Sequence, residues 1–217
     1  MIFRDREDAA AKLADALKHW RGSDPLVVAI PRGAVPMAAL IARELGGVLD
    51  VALVRKLSAP GNPELAVGAV DETGWTYVAD HAKSYGANAE YLQREAEREL
   101  ATIRGRRKRY TGDRGPIEAA GRVVIVVDDG LATGATMIAA LHALRARAPR
   151  HLVCAVPVGS QDSIDAVRRY ADEVVCLDTP SFFYAVGQAY RDFRQVSDDE
   201  VVSALRAASA ARAQSAV

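Results

Sequence analysis

The chain has 217 residues, half of them hydrophobic and 26% charged, and its 28 basic side chains balance 28 acidic ones to a formal net charge of zero. That length suffices for one compact α/β domain, and the balance argues against a dedicated nucleic-acid binder, which carries a basic excess. The sequence lacks both an apolar run of about twenty residues and a leader pattern, so the expectation is a cytoplasmic protein without membrane contact.

From the start, Ala10, Leu13, Ala14, Leu17 and Trp20 mark one face of an amphipathic helix that follows Asp5 and stops at Gly22 to Pro25. Leu26 to Ile30 is a short apolar strand with Pro31-Arg32-Gly33 as its exit loop. A helix follows from about Ala34 to Leu45, with Pro36 tolerable in its first turn and Gly46-Gly47 past its end. Asp50 to Val54 reads as a second strand, closed by the basic pair Arg55-Lys56. Ser58 to Pro63 is rich in Pro and Gly and predicts a mobile functional loop. Ala66–Val70 and Trp75–Val78 flank Asp71–Gly74 as a hairpin.

A long helix is predicted from Asn88 to about Arg104, burying Leu92, Ala96, Leu100 and Ile103. The basic run Arg106–Arg109 after it reads as a solvated helix end rather than a nucleic-acid patch. Arg122–Val127, Ala135–Arg147, His151–Val156, Ser160–Tyr170 and Val174–Leu177 then alternate strand and helix. Repeats of this kind predict a mostly parallel sheet with helices on both faces, whose ligands bind beyond the carboxyl ends of the strands. Cys154 and Cys176 lie in separate apolar runs and read as buried thiols in a reducing compartment. His19, His81, His142 and His151 are scattered without metal-ligand spacing, so a zinc site is not expected. The whole chain, 1–217, reads as a single domain: a core over 26–177, a hood over 178–196, and an Ala/Ser-rich tail over 207–217 expected to be frayed.

The most informative stretch is Val124-Ile-Val-Val-Asp-Asp-Gly-Leu-Ala-Thr-Gly-Ala-Thr136. A buried strand leads into two carboxylates, then into a loop of small and hydroxylated residues at a helix start. Backbone N–H groups turned inward over Gly130 to Thr136 make a phosphate cradle. Asp128 and Asp129 would repel that phosphate, so they suit sugar hydroxyls or a hydrated divalent cation instead. Phosphate, polyol and cation in one pocket point to a phosphorylated sugar. The bland alternative is that the two aspartates end a strand and Gly130 makes a turn.

This segment resembles the thirteen-residue phosphoribosyl pyrophosphate (PRPP) motif of the type I phosphoribosyltransferases. Response-regulator receivers and haloacid-dehalogenase-like phosphatases also place carboxylates after a strand, but usually without such a Thr-Gly-Ala-Thr loop. The resemblance implies an α/β fold with about five core strands, a small hood, and a decoration of hairpin and long helix. It implies magnesium-dependent transfer of the 5-phosphoribosyl group of PRPP to a nitrogenous base with release of pyrophosphate. By that resemblance Asp128 and Asp129 hold the ribose hydroxyls and, through water, Mg²⁺. Gly130, Leu131, Ala132, Thr133, Gly134, Ala135 and Thr136 bind the 5′-phosphate. Pyrophosphate falls to Arg32, Gly33, Ala34, Arg55 and Lys56, with Lys56 stabilising the leaving group as a catalytic residue and the loop Ser58–Leu65 closing over PRPP. Phe183, Tyr184 and Val186 are the base-binding candidates, by loose similarity to a Phe-Val-Val-Gly stacking segment, although these aromatics could equally be core. Related enzymes are commonly homodimers.

Two departures qualify the resemblance. Ala34 stands where the pyrophosphate loop often has a second Gly, and a Cβ there hinders a strained peptide. Ala132 replaces the Asp that faces the purine in 6-oxopurine enzymes, which brings Leu-Ala-Thr-Gly closer to adenine and uracil phosphoribosyltransferases. The alternative function is a non-catalytic PRPP or nucleotide sensor of the same fold.

Overall fold

The computed structural model describes residues 1–215. In chain order the first elements are α1 (Arg6–Ala16), β1 (Leu26–Ala29), α2 (Ala34–Leu45) and β2 (Val48–Val51). Three antiparallel strands follow, β3 (Val54–Ala59), β4 (Asn62–Asp71) and β5 (Thr76–Val78), then the long helix α3 (Ala89–Thr111). The second half runs β6 (Val123–Val127), α4 (Ala135–Arg145), β7 (His151–Val158), α5 (Gln161–Val167), β8 (Glu173–Asp178) and α6 (Asp198–Ser215).

The main sheet has the order β2-β1-β6-β7-β8, and every pairing in it is parallel. All five residues of β6 are buried, which is why that segment reads as an uninterrupted apolar run. Val123, Ile125 and Val127 pack into one core, while Val124 and Val126 pack into another on the opposite face. Burying each such side chain contributes on the order of 1.5–3 kcal/mol, so β6 is a heavily weighted element of the scaffold, together with β7, whose residues from Leu152 to Val158 are all buried. Helices α1, α2 and α6 line the first core; α4 and α5 line the second.

The basic pair Arg55-Lys56 lies inside β3 and not at the end of a parallel strand. The strand expected over Asp50–Val54 is two pieces, with β2 ending at Val51 and β3 opening a separate sheet at Val54. The expected mobile loop over Ser58–Pro63 is instead the turn of a β3–β4 hairpin, with Pro60-Gly61 at its tip. Gly61 supplies the left-handed backbone that such a turn requires, at φ +71. This second sheet packs on α4 through Ala69, Ala135 and Ala139, and Trp75 stacks on the His142 ring at 3.5 Å.

Helix α3 runs a full seven residues past Arg104, because acidic partners draw in its basic end. Arg107 donates to both Glu72 carboxylate oxygens (3.1 and 2.5 Å) and to the Val51 carbonyl (2.9 Å), and Arg109 reaches Asp198 and Asp199. The tail expected to fray is helical as far as Ser215 and is anchored by buried Val201 and Leu205; residues 216–217 lie outside the described residues. Both cysteines are free thiols, Cys154 buried and Cys176 only half-buried. Among the described residues no helix is long and apolar enough to cross a membrane.

Candidate functional site

Strand β1 pairs with β2 on one side and β6 on the other, so the chain leaves β1 and β6 in diverging directions at one crevice. Such a switch point is where open parallel sheets bind ligands. The loop after β1 is Pro31-Arg32-Gly33, which contains a cis Pro31–Arg32 peptide; the loop after β6 begins with Asp128-Asp129. Ile30 N–H donates to the Val127 carbonyl at 3.0 Å and keeps the two exits in register. The loops touch at Gly33: a Cβ there would lie 2.1 Å from Asp129 Oδ2 and 3.0 Å from Arg6 Nη2. The Gly is required by close approach, since its own φ of −56 suits any residue. Ala34 is fully buried as the first residue of α2, so its Cβ packs into the core.

The acidic pair is held on both sides. Asp128 Oδ1 accepts the Asp129 N–H at 2.9 Å, and Asp129 Oδ2 accepts Arg6 Nη2 at 2.7 Å and Nε at 3.0 Å. The Tyr190 hydroxyl donates to the Asp129 carbonyl at 2.7 Å. Burial pushes the Asp128 carboxyl well above the usual range, and the neighbouring Asp129 charge adds to the effect. Burial also raises Asp129, against the opposing pull of Arg6. Two adjoining carboxylates that resist carrying two charges are poised to accept positive charge.

The loop from Gly130 to Thr136 is anchored at two points. Leu131 N–H is anchored on the Val158 carbonyl at 2.9 Å, and Ser163 Oγ donates to the Ala132 carbonyl at 2.6 Å. Gly134 is left-handed at φ +75 and caps α4 without a side-chain hydrogen bond. Thr133 Oγ1 makes only a long 3.5 Å contact with the Ala135 N–H. The start of α4 thus has little side-chain capping and lies beside exposed Ala132 and Thr133, which suits an anion.

The remaining candidates divide. Arg32 lies close enough to Tyr110 and Asp198 to act on both: burial pushes the Tyr110 hydroxyl up to about 12, while Arg106 and Arg32 oppose it. Arg55 donates to Glu99 on α3 at 2.6 Å, so a structural partner already holds it. Lys56 is exposed on β3. In the hood, Val186 sits on the motif, since a Cβ on Gly130 would lie 2.6 Å from Val186 Cγ1. Tyr184 is 81% exposed with its ring available, whereas Phe183 packs against the main core. Phe182, not a sequence candidate, is as exposed as Tyr184.

Sequence reading missed Arg6, Tyr190 and Phe193. Their only signal was proximity to recognised features: Arg6 follows the Asp5 helix cap, and the other two continue the aromatic hood. For a cation, no group of three or more His, Cys, Asp or Glu side chains among the described residues could hold a metal ion. Two carboxylates without a cage still fit Mg²⁺, which keeps waters and takes phosphate oxygens from its substrate.

The family model described as phosphoribosyl transferase domain matches residues 2–194. Proteins of Mycobacterium tuberculosis strains CDC 1551 and H37Rv, both named as phosphoribosyl transferases, are each 43% identical over 205 residues, 94% of this chain. The chain spans about half the length of these curated relatives, 46%. The crystal structure of TT1426 from Thermus thermophilus is 47% identical, with a TM-score of 0.79 over 94% of this chain and 98% of that one.

Proposed function

The chain belongs to the phosphoribosyl transferase family, and from that premise we propose that it moves the 5-phosphoribosyl group of PRPP to a nitrogenous base, releasing pyrophosphate. The observation that carries this reading is the contact at Gly33. It brings the acidic pair after β6 against the loop after β1, beside the uncapped start of α4. That contact supports reading three ligand chemistries at neighbouring strand ends: an anion cradle, a pair of carboxylates, and a second anion loop.

In this mechanism the α4 N-terminus and the Thr133 and Thr136 hydroxyls hold the 5′-phosphate. Asp128 and Asp129 accept hydrogen bonds from the ribose hydroxyls. Arg32 and the amides around Gly33 hold the pyrophosphate, for which a guanidinium fork is well shaped. Magnesium, when bound, supplies charge neutralisation for the pyrophosphate, held by Asp128 and Asp129 through water. The bond from the anomeric carbon to pyrophosphate breaks, and its electron pair leaves with that group. The acceptor nitrogen supplies the lone pair for the new bond from the opposite face, and where it carries a hydrogen that proton leaves with the released pyrophosphate. Positive charge develops on the sugar between these events, and the two carboxylates stabilise it. Tyr184 offers a stacking face for the base, and Val186 fixes the hood's height above the motif. The assignment of leaving-group stabilisation is stronger for Arg32 than for Lys56 or Arg55, because Arg32 stands in the loop that touches the acidic pair.

The test is pyrophosphate release from PRPP and Mg²⁺ across a panel of purine and pyrimidine bases, with calorimetric binding in parallel. Release dependent on one base supports the transferase and names its acceptor. Binding without release on any base favours the sensor alternative. Absence of binding removes PRPP from the account. A homodimer, also proposed, is checked by light scattering.

A further inference from the structure

We infer that Arg6 is a positioning residue of this site: its guanidinium orients Asp129 toward the ribose and ties the hood segment Tyr190–Arg194 to the acidic pair. PRPP binding and hood order are thereby linked. The inference rests on the PRPP reading above and adds a residue to it.

All three guanidinium nitrogens of Arg6 donate. Nε and Nη2 both converge on Asp129 Oδ2, leaving Oδ1 to a ligand, and Nη1 donates to the Arg194 carbonyl at 2.7 Å. The flat face of the guanidinium lies 3.9 Å from the centre of the Phe193 ring, which itself stacks on Tyr190 at 4.9 Å. A fork, a carbonyl and a ring face together fix the group in one orientation, which a lysine could not reproduce. The side chain is only 13% exposed and its partner 18%, so screening by water is limited.

The anchoring of α1 does not need this pair. Ala9, Ala10, Leu13 and Leu17 are fully buried and secure the helix, and the Asp5 side chain caps it by accepting the Asp8 N–H at 2.8 Å. The cap places Arg6 at the first helical position, facing the crevice. Just upstream, the chain is stitched to the hood: Phe3 N–H donates to the Ala189 carbonyl, Arg191 N–H to the Phe3 carbonyl, and Asp192 N–H to the Arg4 carbonyl, at 2.7–3.0 Å. Gly33 supplies the space, since any Cβ there would collide with the Arg6–Asp129 pair. Three separate segments thus accommodate one guanidinium at the second carboxylate of the motif.

The test compares the wild-type chain, Arg6→Gln, Arg6→Lys and, as control, Arg145→Gln, whose ion partner is Asp172. Mg²⁺–PRPP affinity is measured by calorimetry, and PRPP-induced protection from hydrogen exchange is followed over residues 130–136 and 190–194. In the wild type PRPP protects both segments. Arg6→Gln is expected to bind PRPP about tenfold more weakly, the loss of one charge-assisted contact, and to protect 130–136 without protecting 190–194. Arg6→Lys keeps the charge without the fork and falls between; Arg145→Gln matches the wild type. Wild-type affinity and protection in both Arg6 variants would overturn the inference. If Arg6→Gln does not fold, Arg6→Lys decides alone by the same two readouts. Failure of the wild-type chain to bind PRPP sinks the transferase reading first, and this inference with it, before any variant is compared.

Discussion

The two walls of the crevice are made differently. The phosphate wall is regular structure: a fully buried strand, a short loop, and a helix whose first turn is left open. The hood wall, from Pro180 to Arg194, is mostly irregular chain, with one short 3₁₀ turn at Val186–Ala189 and hydrogen bonds borrowed from the N-terminal segment. The first wall has its geometry imposed by sheet packing, where voids and shifts are costly. The second is positioned by a few specific contacts, Val186 on Gly130, Tyr190 on the Asp129 carbonyl and Arg6 on Arg194, and can diverge without disturbing the core. A shared sugar-phosphate donor and a variable acceptor would call for this division.

The contrast can be broken most severely at the residue both walls share. Asp129→Asn is expected to lower the rate of pyrophosphate release by about 10²-fold or more, because the proposed reaction uses that charge against the developing sugar cation. The midpoint of thermal unfolding should change little by comparison. On the hood wall alone, Tyr184→Ala should raise the KM for the acceptor by roughly ten- to a hundredfold, the worth of one stacked base, and leave PRPP affinity unchanged in calorimetry. An equal loss of PRPP affinity would show that the walls are not separable. In the loop after β1, Gly33→Ala drives a Cβ into Asp129 and Arg6 and should weaken PRPP about tenfold while costing about 1–3 kcal/mol in denaturant unfolding. Smallest of all is Asn88→Ala, which deletes the cap accepting the Tyr91 N–H on α3 and should cost about 1 kcal/mol with no change in either substrate. Altered PRPP affinity in that variant would bring α3 into the site.

The same contrast explains what the sequence disclosed. β6 and the Asp128–Thr136 loop were legible because burial on both faces demands consecutive valines, and because Gly and Thr at a helix start are chosen locally. The boundary between β2 and β3 was not, since Ala52-Leu53 carries no turn residue and the sheet change is a tertiary event. The Pro/Gly-rich stretch looked like a loop because the same residues make tight hairpin tips. Helix α3 outran its expected end because Glu72 and Asp198 lie far along the chain from the arginines they meet. Arg6 was invisible for the same reason: its partner Asp129 stands 123 residues away, and nothing near Arg6 announces a carboxylate. Local patterns yielded the donor-facing wall, and long-range pairing made the other.

The bridge between Phe3 and Tyr190 also sets an order of assembly. As the chain emerges from a ribosome, β1 must wait for β6 before either is paired on both sides, and Phe3 must wait for the residues after β8. Pairings this distant in sequence are slow to find, because loop closure precedes any gain. The crevice is thus completed after its sheet, when the segment around Phe3 closes on the segment around Tyr190. A nascent chain halted after β8 would hold the acidic pair and the Gly130–Thr136 loop but not the N-terminal and hood segments that close on them.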